Sequence, residues 1–123
     1  MASDKPLIYH NPGCSKSRET LQTLEDNNTS PEVIEYLESP PSADELRRII
    51  ALLGIPAGDL LRTGEAVYQD ANLDADNLNE DEVIRAICEF PILLQRPIVI
   101  SGMRAVIGRP PSRVLEILPA SGW

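Results

Sequence analysis

Apolar residues arrive along this chain in short packets whose spacing alternates between strand-like and helix-like. Leu7-Ile8-Tyr9 is an apolar run that stops at the turn formers His10-Asn11-Pro12-Gly13. Cys14 then opens a stretch in which Ser17, Leu21, Leu24 and Asn28 recur three or four residues apart. Strand, loop and helix follow in that order. Asn27-Asn28-Thr29-Ser30-Pro31 halts the helix, and Val33-Ile34-Glu35-Tyr36 reads as a second strand. A helix-length crossover makes that strand parallel to the first. The chain therefore opens as a βαβ unit.

Pro40-Pro41 breaks the chain before Ser42-Ala43-Asp44-Glu45, which has the form of a capping box, and Leu46, Ile49, Ile50 and Leu53 then supply one apolar face. Gly54 ends that helix. Between residues 56 and 78, Leu60, Leu61, Val67, Tyr68, Leu73 and Leu78 are scattered among Gly, Asp and Asn, which predicts short helices joined by loops. Asn79 to Glu82 repeats the capping logic, and Val83, Ile84, Ile87 and Cys88 form the apolar stripe of another helix, with Cys88 facing inward. Ile98-Val99-Ile100, a Ser101-Gly102 turn and Ala105-Val106-Ile107 predict a hairpin after Arg96-Pro97. Gly108-Arg109-Pro110-Pro111 leads into a last helix carrying Val114, Leu115 and Leu118. Repeats and low-complexity tracts are absent, so the pattern predicts one α/β domain over residues 1–123.

Composition narrows the chemistry. With 42% apolar residues in 123, the chain can fill one modest core. A net charge of −8 argues against nonspecific binding to nucleic acid or anionic membrane, because phosphate-rich surfaces attract Lys and Arg. Any anion handled here must be held by local positive groups. No apolar run approaches the roughly 20 residues of a membrane span, and the start Met-Ala-Ser-Asp-Lys-Pro lacks an apolar signal core. A soluble cytoplasmic protein is expected. The two cysteines, Cys14 and Cys88, are too few for a disulfide framework and wrong for a zinc cluster, so neither a metal nor a bound cofactor is expected.

A free thiol reacts as its thiolate and needs local positive potential. Cys14 sits where a strand-loop-helix leaves unpaired backbone N–H groups and the positive end of the helix dipole, with Lys16 and Arg18 close in sequence. The hydroxyls of Ser15 and Ser17 are further candidate donors to the sulfur. His10 either tunes the thiolate or is a hydrogen-bonded loop residue. Ser17 occupies the second position of a Cys-x-x-Cys motif, which leaves one thiol and no local disulfide. Cys88, in an apolar stripe, is expected to be a packed core thiol, so the resolving thiol comes from outside.

Ile8-Tyr9-His10-Asn11-Pro12-Gly13-Cys14-Ser15-Lys16-Ser17-Arg18 resembles the active-site segment of the arsenate reductases that rely on glutathione and glutaredoxin. Tyr36-Leu37-Glu38-Ser39-Pro40-Pro41, Leu60-Leu61-Arg62, Pro91-Ile92-Leu93, Arg96-Pro97-Ile98-Val99 and Gly108-Arg109-Pro110 resemble later segments of that family, in order. The resemblance covers nearly the whole chain. It implies a thioredoxin/glutaredoxin-like fold with an inserted helical region, and a cis bond at Arg96-Pro97. It makes Cys14 the nucleophile toward arsenate, and Arg62, Arg96 and Arg109 the groups that hold the oxyanion and the arsenylated thiol. Asn11 joins them in the substrate-binding set. Glutathione enters as co-substrate and glutaredoxin as protein partner. Residues around the cysteine, and the stop at Trp123, differ from those of the best-known resistance enzymes and look like a chromosomal housekeeping member. Physics agrees on the arginines, since guanidinium binds oxyanions through paired N–H donors.

Two other functions share this pattern. A glutathione-dependent thiol-disulfide reductase would use the same fold and thiol, and relatives that bind RNA polymerase resemble the family too, although they commonly carry the Cys-x-x-Cys that Ser17 interrupts. The phosphatase-like arsenate reductases are excluded, because their Cys-x5-Arg loop requires Arg at position 20, which is Thr20.

Overall fold

In the computed structural model, residues 5–118 are described. Backbone contacts divide the chain into two units, one built from the chain up to Tyr36 together with the chain from Arg96 onward, the other from Leu37–Gln95.

The first unit holds the sheet. β1 (Leu7–His10) and β2 (Glu32–Glu35) flank α1 (Ser15–Asp26), and β3 (Ile98–Ser101) and β4 (Arg104–Ile107) form the hairpin. The strand order is β2-β1-β3-β4, with β1 parallel to β2 and antiparallel to β3. The predicted βαβ opening and the hairpin are thus both present, and this is a thioredoxin-like fold. Ile8, Leu24, Val99, Val106, Val114 and Ile117 bury together, with Leu21 and Leu118 packed against them. Alternation along the strands sends Ile8 and Val99 to this core while Tyr9, Ile98 and Ile100 are buried on the other face. Both faces of the central strands are covered.

The second unit is the helical insertion. α2 (Ala43–Leu53) begins with the predicted capping box, in which Ser42 Oγ accepts from the Glu45 N–H at 3.1 Å and Glu45 Oε1 accepts from the Ser42 N–H at 2.7 Å. It ends at Gly54, whose φ of 65° is the left-handed conformation that glycine tolerates best. Short helices follow: a 3₁₀ turn at Ala57–Leu60, α3 (Ala66–Asp70), then α4 (Glu80–Glu89) and a 3₁₀ turn at Pro91–Leu93. Asn79 and Glu82 close the second predicted capping box at 2.9 Å in each direction. Leu61 and Leu94 pair as an isolated antiparallel bridge.

Two expectations are corrected. Cys88 is exposed, whereas Val83, Ile84, Ala86 and Ile87 are buried. At about 100° per residue those four fill one arc of α4, and Cys88, one step past Ile87, falls outside it. The last helix is a 3₁₀ helix, Pro111–Glu116, with i to i+3 bonds such as Ile117 N–H to the Val114 carbonyl at 3.2 Å. Three residues per turn aligns Val114 with Ile117, both buried, and leaves Leu115 exposed where an apolar contact was expected.

Candidate active site

The loop between β1 and α1 is closed by its own polar groups. Asn11 Oδ1 accepts from the Gly13 N–H at 2.9 Å, the Asn11 carbonyl accepts from the Cys14 N–H at 2.9 Å, and Arg18 donates to the Pro12 carbonyl at 2.8 Å. These bonds turn the chain so that Cys14 becomes the N-cap of α1, with extended dihedrals of −103° and 124°. A cap side chain faces the N–H groups two and three residues on. Here those belong to Lys16 and Ser17.

The sulfur makes no short capping bond, yet its surroundings favour the thiolate. Burial is the largest influence on Cys14 and opposes ionisation. The Ser17 N–H, the Arg96 side chain, the Lys16 N–H and the charge of Arg96 together outweigh it and hold the thiol below its ordinary value. Arg109 donates from Nη2 toward Cys14 Sγ at 3.6 Å, and its Nε donates to the Arg96 carbonyl at 2.8 Å, so the two arginines are joined to each other as well as to the sulfur. The Arg96–Pro97 peptide is cis, as expected, and Arg109–Pro110 is cis as well.

The expected serine donors take different places. Ser17 is fully buried, and its hydroxyl lies 2.7 Å from His10 Nδ1 while accepting from the Asn11 N–H at 3.0 Å. Its backbone, and not its hydroxyl, serves the sulfur. Ser15 is exposed at the first position of α1. His10 is buried; desolvation, offset in part by Glu35 and reinforced by Arg18, lowers its pKa and keeps the ring neutral. The bond between His10 Nδ1 and the Ser17 hydroxyl, whose direction follows the ring tautomer, lets His10 brace the loop. Lys16 and Arg18, the cations nearest in sequence, are exposed, and the arginines that reach the thiol come from beyond residue 95.

Cys14, Arg96 and Arg109 are therefore brought together in the first unit. A thiol thus stands between a helix N-terminus and two guanidinium groups, an arrangement able to receive an oxyanion.

A family model described as the ArsC family matches residues 9–117. The chain belongs to the ArsC family. An arsenate reductase of Haemophilus influenzae is 48% identical over 113 residues, which cover 91% of this chain and 97% of that protein. An arsenate reductase of Escherichia coli is 43% identical over 112 residues, covering 91% of this chain and 79% of its own length. The structure of an arsenate reductase from Vibrio cholerae superposes with a TM-score of 0.88 at 46% identity, over 92% of this chain and 97% of the other. In this ArsC chain Arg62 belongs to the second unit, where its Nε is paired with Glu65 Oε2 at 3.1 Å and its N–H is held by the Leu93 carbonyl at 2.7 Å. Sequence reasoning missed the bond from Arg109 to the Arg96 carbonyl. No local pattern signals it, because only the closed hairpin brings those groups together.

Proposed function

We propose that this ArsC protein reduces arsenate to arsenite through a covalent adduct on Cys14, with glutathione and glutaredoxin supplying the electrons. The observation that carries this reading is the Cys14 thiol, favoured as thiolate, with Arg109 at 3.6 Å and Arg96 bonded beside it. Two anions must meet for the first step, and the two guanidinium groups offset that repulsion. The Cys14 thiolate attacks arsenic, an S–As bond forms, and an arsenic-bound oxygen leaves as water after protonation. A glutathione thiolate then attacks the Cys14 sulfur. The S–As bond breaks with its electron pair moving to arsenic, which departs as arsenite and leaves a mixed disulfide between Cys14 and glutathione. A glutaredoxin thiolate attacks the glutathione sulfur and returns Cys14 as thiolate. Ser17 supplies no second sulfur, which is why the external thiol is required. The share of Arg62 in holding the oxyanion rests on the family resemblance.

Purified protein given arsenate, glutathione and glutaredoxin is expected to turn over, and Cys14→Ser to be inactive. Mass spectrometry should find glutathione on Cys14 after arsenate and glutathione are added. A Cys14–Cys88 disulfide, or full turnover with thioredoxin and no glutathione, would sink the mechanism. Failure under any thiol supply, with anion binding intact, would point to a thiol-disulfide reductase.

A further inference from the structure

Thr20 has no part in the chemistry above, yet it is fully buried on α1, six residues beyond Cys14, on the buried side of the helix that also carries Ser17 and Leu24. A polar residue there needs a reason, because a buried hydroxyl is stabilised only by its hydrogen bonds. Its Oγ1 donates to the Lys16 carbonyl at 2.8 Å, with the Gly108 carbonyl sharing the proton at 3.3 Å. Lys16 is a residue whose N–H favours the thiolate, and Gly108 directly precedes Arg109.

Gly108 is held from two sides. Its N–H donates to the Pro97 carbonyl at 2.9 Å. A Cβ on Gly108 would stand 2.6 Å from Thr20 Oγ1 and 2.9 Å from Pro97 Cγ, closer than real Cβ contacts come, and a tight 3.0 Å from Thr20 Cγ2. Only glycine lets this backbone lie against α1. Pro97 follows Arg96 directly and Gly108 precedes Arg109 directly, so one junction of three residues anchors both arginines to the helix that carries the nucleophile.

We infer that Thr20 and Gly108 are positioning residues, whose contact with each other and with Pro97 sets where Arg96 and Arg109 stand relative to the Cys14 sulfur. The inference rests on the proposed role of that sulfur as nucleophile. Loosening the junction lets the arginines retreat from Sγ together, and misplacement by about 1 Å can cost roughly a hundredfold in rate. Thr20→Val keeps the shape and removes the hydroxyl, Thr20→Ser keeps the hydroxyl, and Gly108→Ala wedges the backbone away from α1.

The deciding measurement is the pH profile of Cys14 alkylation by iodoacetamide on the Cys88→Ala background. It needs no arsenate and follows the thiolate rather than stability. For Thr20→Val and Gly108→Ala the midpoint should rise by about half a pH unit or more, roughly a threefold loss of thiolate on the acid side, and Thr20→Ser should keep the wild-type midpoint. In arsenate turnover the same two variants should lose at least about tenfold in kcat/KM. A wild-type alkylation midpoint in Thr20→Val would overturn the inference. If Gly108→Ala does not fold, the Thr20→Val and Thr20→Ser pair decides it alone. If the wild-type protein does not reduce arsenate, the substrate reading falls while the alkylation midpoints still decide the junction.

Discussion

α1 of the first unit and the two longer helices of the second, α2 and α4, begin in opposite ways. α2 and α4 are closed by Ser42 and Asn79 in complete capping boxes, with Asp44 and Glu45, or Glu80, Asp81 and Glu82, in the first turn against the positive end of the dipole. α1 has Cys14 at the same position, no side-chain capping bond and no acidic residue in its first turn. Charge divides the same way. The sequence of the first unit carries seven acidic and seven basic residues, and that of the second twelve acidic and four basic, so the whole net charge of −8 belongs to the insertion. In a protein acidic as a whole, the unit that carries Cys14, Arg96 and Arg109 thus has no negative surplus of its own. The cost at α1 is affordable in size. A capping side chain is worth about 1 kcal/mol, whereas removing a buried leucine costs about 2–5 kcal/mol. Leu24 and its cluster hold α1 in place and leave its N-terminal N–H groups to the sulfur.

Replacing the thiol breaks this contrast most severely. Cys14→Ser should abolish arsenate turnover, yet serine is a good N-cap, so the variant should unfold at equal or higher denaturant, with a gain of up to about 1 kcal/mol. Measuring both on one preparation checks it, and a clear loss of stability would refute the idea that α1 is left uncapped for function. Next in size are the arginines. Arg96→Ala and Arg109→Ala should each slow adduct formation by about 10²–10³-fold, the usual effect of losing one preorganised donor. Rapid-quench mass spectrometry would read it, and a loss below threefold would remove the arginines from the chemistry.

In the second unit the same kind of change should act on stability alone. Ser42→Ala and Asn79→Ala should each lower unfolding free energy by about 1 kcal/mol and leave the pH profile of Cys14 alkylation unmoved. A shifted profile would show that the two units are coupled through the caps. The smallest effect concerns His10, whose pKa in the folded protein lies below the ordinary 6.5 because its ring is buried. The unfolded chain therefore binds the proton first as pH falls. The stability from burying the neutral ring is fully present above pH 6.5 and is lost as pH drops toward the folded value. Urea midpoints followed from pH 8 to 5 should fall more steeply for the wild type than for His10→Gln, and equal slopes would mean that the ring is not buried neutral.

Much of the fold could be read from neighbours along the chain. The capping boxes, the glycine stop at Gly54, the parallel β1–β2 pair and the hairpin all depend on residues a few positions apart, where backbone preference and hydrogen bonding act locally. Reading failed where a residue lies at the margin of its pattern. Cys88 continues an apolar stripe in sequence but lies just outside the buried arc, and Leu115 belongs to an α-helical spacing that the 3₁₀ segment does not follow.

What the sequence by itself determined is the candidate thiol, its place at a helix start, and the set of arginines from which its neighbours are drawn. The tertiary structure decided which groups meet it. Lys16 and Arg18 are nearest in sequence, and yet the guanidinium 3.6 Å from the sulfur belongs to a residue 95 positions away. Ser17 turns its hydroxyl to His10 and only its N–H to the thiol. The physical reason is reach. A cap or a turn is closed by bonds within a few residues, whereas the stance of Arg96 and Arg109 depends on β3 pairing with β1 and on Gly108 lying against Thr20. Those contacts exist only after distant segments have closed on one core.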